Sequence, residues 1–208
     1  DQRTLEQIYR YLAQEEAQKA TFDFESYQAL LKQHDVSPAD FERIPIQILK
    51  VGGLGTHNCL GLAKAQGARF FLASTSEVYG NAEKVPFSED DDLVLGATAS
   101  LRWSYAVAKM LDESLALSYS YEKRLRCIIV RLFNTTGPRQ TGYYGMVLPN
   151  FVSQALKGQP ITVHGTGDQS RCFGHVYDAV ESLTRLLNAP NAIGHVFNVG
   201  NDEEVSIY

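Results

Sequence analysis

Ala68-Arg-Phe-Phe-Leu-Ala-Ser-Thr-Ser-Glu-Val-Tyr-Gly80 opens as an apolar run and breaks into a polar turn. Residues 68–73 have the length and unbroken apolar character of a strand buried on both faces. The hydroxyls and acid that follow belong to a strand end giving way to a loop. The same texture recurs downstream. Arg126-Cys-Ile-Ile-Val-Arg-Leu-Phe133 reads as a second buried strand, Ile161-Thr-Val-His164 as a short one and His195-Val-Phe-Asn-Val199 as a last one. Apolar spacing predicts helices over 46–66, ending near Gly67, and over 104–120, 145–157 and 177–187, with a polar loop over 81–100. Strands alternating with helices imply a parallel sheet with helices on both faces, a doubly wound α/β fold.

The bulk properties narrow the function classes. A chain of 208 residues suits one domain with a small appendage. A net charge of −5 and a pI near 5.5 leave no basic stripe for nucleic acid. No apolar run approaches the roughly 18 residues of a membrane span, and Asp1-Gln-Arg-Thr4 does not open a signal peptide. The missing initial Met suggests a trimmed or partly recorded chain. Three widely spaced cysteines, Cys59, Cys127 and Cys172, form no C-x-x-C and read as reduced structural thiols of a cytoplasmic protein. The five histidines show no metal-ligand spacing, so no metal is expected.

Residues 1–44 differ from the rest, with nine acids against five bases. Leu5, Ile8, Tyr9 and Leu12 repeat at helical spacing, as do Phe24, Tyr27, Leu30 and Leu31 after Asp23 as N-cap. Ser37-Pro-Ala-Asp40 looks like a third helix start with Pro at N1. The expectation is a helical arm over 1–45, for packing or for binding a partner, and an α/β domain over 46–208.

Chemistry enters with Tyr105-Ala-Val-Ala-Lys109. One helical turn separates the two, so both side chains reach one face. An ammonium beside a phenol favours the phenolate and lowers a pKa that starts near about 10. A hydroxyl from Thr75 completes a proton relay, and the set suits a base that strips a proton from a substrate hydroxyl. Spacing alone proves little: with 11 tyrosines, Tyr-x-x-x-Lys arises about 0.4 times by chance, and it recurs at Tyr119 and Lys123, an exposed helix end. Context lifts Tyr105: Thr75-Ser-Glu77 upstream and Arg131-Leu-Phe-Asn-Thr-Thr-Gly-Pro-Arg139 downstream.

Those motifs stand in order with Leu54-Gly-Thr-His-Asn58, Gly165-Thr-Gly-Asp-Gln-Ser-Arg171 and Phe197-Asn-Val-Gly200. Over residues 46–207 the chain resembles the extended short-chain dehydrogenase/reductase family, the NAD-dependent epimerases and dehydratases of nucleotide sugars. Within it the resemblance is strongest to UDP-glucuronate decarboxylases. It implies a Rossmann-like fold, NAD as cofactor and a nucleotide-sugar substrate. It also implies roles. Tyr105 is the base at the sugar 4-hydroxyl. Lys109 tunes Tyr105 and holds the nicotinamide ribose, and Thr75 hydrogen-bonds the reacting oxygen. Ser76 and Glu77 face the sugar, Asn134 contacts the diphosphate, Arg171 pairs with a phosphate and Arg139 meets an anionic substrate group. The implied reaction is oxidation at C4, decarboxylation and re-reduction, with UDP-sugar 4-epimerase or dTDP-sugar 4,6-dehydratase chemistry as the alternatives. Long family helices, including the one with Tyr105, commonly pair across a homodimer. Blander readings stand beside these: Thr75 and Ser76 as strand-end caps, Glu77 as a solvated acid, Asn134 and Arg171 as structural, and the acid run 89–92 as a solvated loop.

The family also carries a Gly-x-x-Gly-x-x-Gly turn after its first strand, where backbone approaches a pyrophosphate at a helix N-terminus. Residues 1–45 contain no such turn. Gly52-Gly-Leu-Gly55 after Ile46–Val51 imitates one, but Asn58 stands where its third glycine belongs, and residues 45–60 match a family helix instead. The expected sheet therefore lacks its first strands and presents an edge for a partner chain to cover. Three explanations stay open: a truncated or incompletely recorded enzyme, one half of a split enzyme, or a non-catalytic structural or interaction subunit.

Overall fold

The computed structural model describes residues 44–140, 142 and 146–208; the expected arm over 1–45 lies outside the described residues except at its last two positions. Pro45 opens the first helix at a position where its missing N–H is not needed. Helix α1 (Pro45–Leu49) runs through a π-helical segment (Lys50–Gly55) into α2 (Thr56–Ala65). The glycine-turn imitation is thus helical throughout. Gly in a helix interior is less favourable than Ala by about 1 kcal/mol, and close packing explains why it is kept here. A Cβ on Gly52 would lie 2.9 Å from Ala108 Cβ, and one on Gly53 would lie 2.8 Å from Leu111 Cδ2.

Those contacts seat the segment on α3 (Ser104–Lys123), which follows β1 (Arg69–Thr75) and precedes β2 (Arg126–Leu132). The two strands pair in parallel, Arg69 opposite Arg126 through Thr75 opposite Leu132. β2 also pairs in parallel with β5 (Val196–Val199), Ile129 opposite Val196 through Leu132 opposite Val199. Strand alternation divides the core. On one face Cys127, Ile129 and Leu72 pack with Leu60 and Ala63 of α2 and Ala116 of α3. On the other, Ile128 and Val130 pack with Leu183 and Leu186 of α5 (Val176–Asn188) and with Ala192 and Phe197. Residues 127–130 of β2 are each at most 1% exposed. Helices on both faces of a parallel sheet are what the strand–helix alternation predicts. Among the described residues β1 has a strand partner on one side only.

A second small sheet departs from the sequence reading. β3 (Asn134–Thr136) pairs in parallel with β4 (Ser170–His175), which pairs antiparallel with β6 (Glu204–Ser206). The expected strand at Ile161–His164 does not form. The Thr162 N–H donates to Gln154 Oε1 at 3.0 Å, and Thr162 Oγ1 accepts from Gln154 Nε2 at 3.2 Å. A side chain of α4 (Val147–Leu156) thus takes the place of a ladder, and Ile161 stays half exposed.

Cys59, Cys127 and Cys172 are free thiols, and Cys127 lies in the core. Burial pushes its thiol up from 9.0 to about 11. The buried neutral form is thus favoured by folding, so its contribution is complete below the unfolded pKa and lost as pH rises through the folded one. We expect unfolding free energy to fall by about 2–3 kcal/mol across that alkaline window. Urea melts of the wild type and Cys127→Ala check this: the variant loses that part of the slope.

Candidate active site

Parallel α/β sheets bind ligands beyond the carboxyl ends of their strands, and there the expected catalytic residues meet. β1 ends at Thr75, whose Oγ1 accepts a hydrogen bond from the Glu77 N–H at 3.2 Å and caps the 3-10 turn Ser76–Tyr79. The cap reading of Thr75 therefore holds. Tyr105, in the first turn of α3, lies near enough to Thr75 for that hydroxyl to favour its phenolate. Ser76 is half-buried at the start of the 3-10 turn and Glu77 is exposed. Lys109, one turn along α3, donates from Nζ to the Ala73 carbonyl at 3.0 Å and lies 3.6 Å from Asp112 Oδ2.

The electrostatics correct the simple tuned-tyrosine expectation. Burial raises the Tyr105 pKa above the ordinary phenol value, the Glu77 and Asp112 carboxylates push it further up, and only the Thr75 bond pulls it down. A phenol moves this way when desolvation and acids outweigh a nearby cation. Here the Lys109 charge is engaged by Ala73 and Asp112.

A buried polar network that the sequence reading missed braces this corner. Arg131 donates to both Glu113 oxygens, from Nε at 3.1 and 3.2 Å and from Nη2 at 2.8 Å. Its Nη1 donates to Tyr79 Oη at 2.8 Å and to the Glu89 carbonyl at 3.2 Å. Ser74 Oγ donates to Glu113 Oε1 at 2.5 Å, and Tyr79 Oη lies 2.8 Å from Asn198 Oδ1. Residues of β1, β2, β5 and α3 are thereby locked at the strand ends. The signal available in sequence was a charged residue, Arg131, inside an otherwise apolar strand, where an ion must be paired. The acid run is likewise not a purely solvated loop. Glu89 Oε1 accepts from the Asn198 N–H at 2.7 Å, and Asp91 takes Lys84 Nζ and the Ser88 N–H. The Lys84 and Ser88 hydrogen bonds hold the Asp91 carboxyl below the usual range.

The expected substrate contacts fall on the second sheet. Asn134 is exposed on β3 and donates from Nδ2 to the Cys172 carbonyl on β4 at 3.4 Å. Arg171 is exposed on β4, with Nη1 donating to the Ser170 carbonyl at 2.6 Å. Arg139 stands exposed on the loop after β3 with φ of 69°, and its side chain makes no hydrogen bond or ion pair among the described residues. Among the described residues no group of three His, Cys, Asp or Glu could hold a metal ion, and no helix is long and apolar enough to cross a membrane.

A Tyr and a Lys one turn apart thus stand near a Thr at a parallel strand end, and comparison with known proteins gives the family. The model of the NAD dependent epimerase/dehydratase family matches residues 16–200. The chain belongs to that family. It is 43% identical over 163 residues to a UDP-N-acetyl-alpha-D-glucosaminuronate decarboxylase of Bacillus cytotoxicus, covering 78% of this chain and 50% of that protein. It is 40% identical over 173 residues to UDP-glucuronic acid decarboxylase 1 of Xenopus tropicalis, covering 82% and 40%. The chain thus spans half or less of the length of these curated relatives. Among solved structures it is similar to the UDP-glucuronic acid 4-epimerase of Bacillus cereus in complex with UDP-glucuronic acid and NAD. There the TM-score is 0.66 and the identity 30%, covering 75% of this chain and 48% of that one. An epimerase of Methanothermobacter thermautotrophicus gives a TM-score of 0.75 at 28% identity, covering 89% and 57%.

Family members bind NAD, and the described residues fit one end of it. The Tyr105 and Thr75 hydroxyls and the Lys109 ammonium supply the donors and acceptors that suit a nicotinamide ribose. For the pyrophosphate the described residues supply no glycine turn between strand and helix, since Gly52, Gly53 and Gly55 lie within helix.

Proposed function

We propose that this chain carries the proton-handling and sugar-binding part of an NAD-dependent enzyme that decarboxylates a UDP-linked uronic acid. The observation that carries the reading is the meeting of Thr75 and Tyr105 at the carboxyl end of β1, where the Thr75 hydroxyl favours the phenolate, with Lys109 one turn along α3 and bonded to the Ala73 carbonyl of the same strand. Two relatives named as decarboxylases of UDP-linked uronates support the substrate class. In this reading Tyr105 takes the proton of the sugar 4-hydroxyl, Thr75 holds the same oxygen, and Ser76 and Glu77 face the ring. Nicotinamide, when bound, accepts and returns the C4 hydride. With C4 a ketone, the C5 carboxylate is a β-keto acid: its bond to C5 breaks, CO2 leaves, and the electron pair is held on the enolate until C5 takes a proton. Asn134, Arg139 and Arg171 bind the diphosphate and other anionic groups, for which a guanidinium fork is suited.

The same first step serves 4-epimerisation, and the Bacillus cereus likeness keeps that as the second reading; the fate of the carboxylate separates the two. We assign 46–208 to the catalytic domain and 1–45 to an arm, in a reducing, cytoplasmic setting that the three free thiols support. A homodimer is supported by the apolar groove of about 430 Å³ between the first helical segment and α3. There Ile46 is 63%, Leu54 62% and Leu111 46% exposed.

Calorimetry with UDP and NAD added separately tests the proposal. UDP binding is the expected result. Binding of neither ligand overturns the enzyme reading in favour of a structural subunit, and UDP binding without NAD assigns the cofactor turn to another segment or chain.

A further inference from the structure

Asp112 has no role in the reaction described above, yet it lies in the same helical face. It follows Lys109 by three residues and Tyr105 by seven, which places all three along one side of α3. It is 1% exposed. Its Oδ2 lies 3.6 Å from Lys109 Nζ, and its Oδ1 is buried without a hydrogen-bond partner. The π-helical segment closes over it: a Cβ on Gly52 would sit 3.6 Å from Oδ1. An ionised carboxylate out of water with one oxygen unpaired is unfavourable, and features of this kind concentrate at functional sites.

We infer that Asp112 is a positioning residue for the Tyr105–Lys109 pair, fixing the Lys109 ammonium against the strand end beside Tyr105. Lys109 sits between two acceptors, the Ala73 carbonyl and the Asp112 carboxylate, so its charge is partly neutralised before it reaches Tyr105. Among the described residues, Thr75 from β1, Glu77 from the 3-10 turn and Asp112 from its own helix act on Tyr105, with Lys109 one turn along; the π-helical segment adds the uncharged Gly52 beside Asp112. The Asp112 carboxylate acts on Tyr105 in the same sense as burial and Glu77, toward the phenol. Asp112 thus opposes the lysine.

The inference rests on the reading of Tyr105 as the base, but its test does not need turnover. Tyrosines labelled with 13C at Cζ are titrated by NMR from about pH 8 to 12, around the ordinary phenol value. Tyr105→Phe identifies the resonance among the 11 tyrosines. In Asp112→Asn, Tyr105 ionises at lower pH than in the wild type, while Asp112→Glu, which keeps the charge, stays nearer to it. An unchanged or higher ionisation pH in Asp112→Asn overturns the inference and leaves the proposed function standing. A structural role alone would move the thermal midpoint without moving this titration. Should Asp112→Asn lose its cooperative melt, Asp112→Ala is read the same way.

Discussion

Arg131→Met lowers the unfolding free energy by about 3–5 kcal/mol, the range for breaking a buried ion pair from one side. Arg131 is 5% exposed and its partner Glu113 4%. Methionine fills much of the volume, so the loss is electrostatic. Glu113 keeps only the Ser74 hydroxyl, and Tyr79 and the Glu89 carbonyl lose their donor. A buried carboxylate without its cation is the expensive species, not the absence of the pair. The double variant Arg131→Met with Glu113→Leu therefore regains most of the loss, because a well-packed apolar pair is often neutral against a buried ion pair. Urea denaturation reads both as shifts in midpoint at constant slope. A single-variant loss under about 1 kcal/mol would mean the pair is as weak as a surface one. The prediction reaches the site because Ser74 precedes Thr75, and Arg131 bonds Tyr79 in the turn after β1, the Glu89 carbonyl in the following loop and Glu113 of α3.

The fold was legible where burial leaves a mark on composition. Cys127 to Val130 are apolar because both faces of their strand are covered, Phe70 and Phe71 are only partly buried and Ala73 is exposed, so β1 is less covered than its apolar run suggests, and the α3 spacing shows because one of its faces is packed. β4 was not legible: Ser170-Arg-Cys-Phe-Gly-His175 is only part-buried, so nothing forces an alternation. Ile161–His164 looked like a strand because Ile and Val suit one, yet Gln154 satisfies Thr162 and no neighbour pairs with it. In the site, sequence spacing brought Tyr105 and Lys109 to one helix face, and the strand-end motif brought Thr75 and Glu77 beside them. It did not give the sign of the field. That depends first on the burial of Tyr105 itself, then on Glu77 and last on Asp112, and the burial follows from the seating of α3 against β1.

Under the proposed function, Tyr105→Phe reduces turnover of a UDP-linked uronate by the NAD-loaded enzyme by about 10²- to 10⁴-fold, the usual contribution of a positioned acid or base. The change removes one hydroxyl and keeps the ring, so UDP binding, assigned to Asn134, Arg139 and Arg171, is retained and the loss falls on kcat. The pH profile sharpens the test. Because burial, Glu77 and Asp112 raise the Tyr105 pKa, the phenol predominates at neutral pH. The base form is the phenolate, which grows as pH rises, so the wild-type rate climbs with pH until the raised Tyr105 pKa is passed. In Tyr105→Phe the residual rate loses that climb. A wild-type rate that falls over the same range, or a variant that retains the climb, assigns the proton to another group. Equal turnover in the two proteins removes Tyr105 from its role, even if UDP binds both.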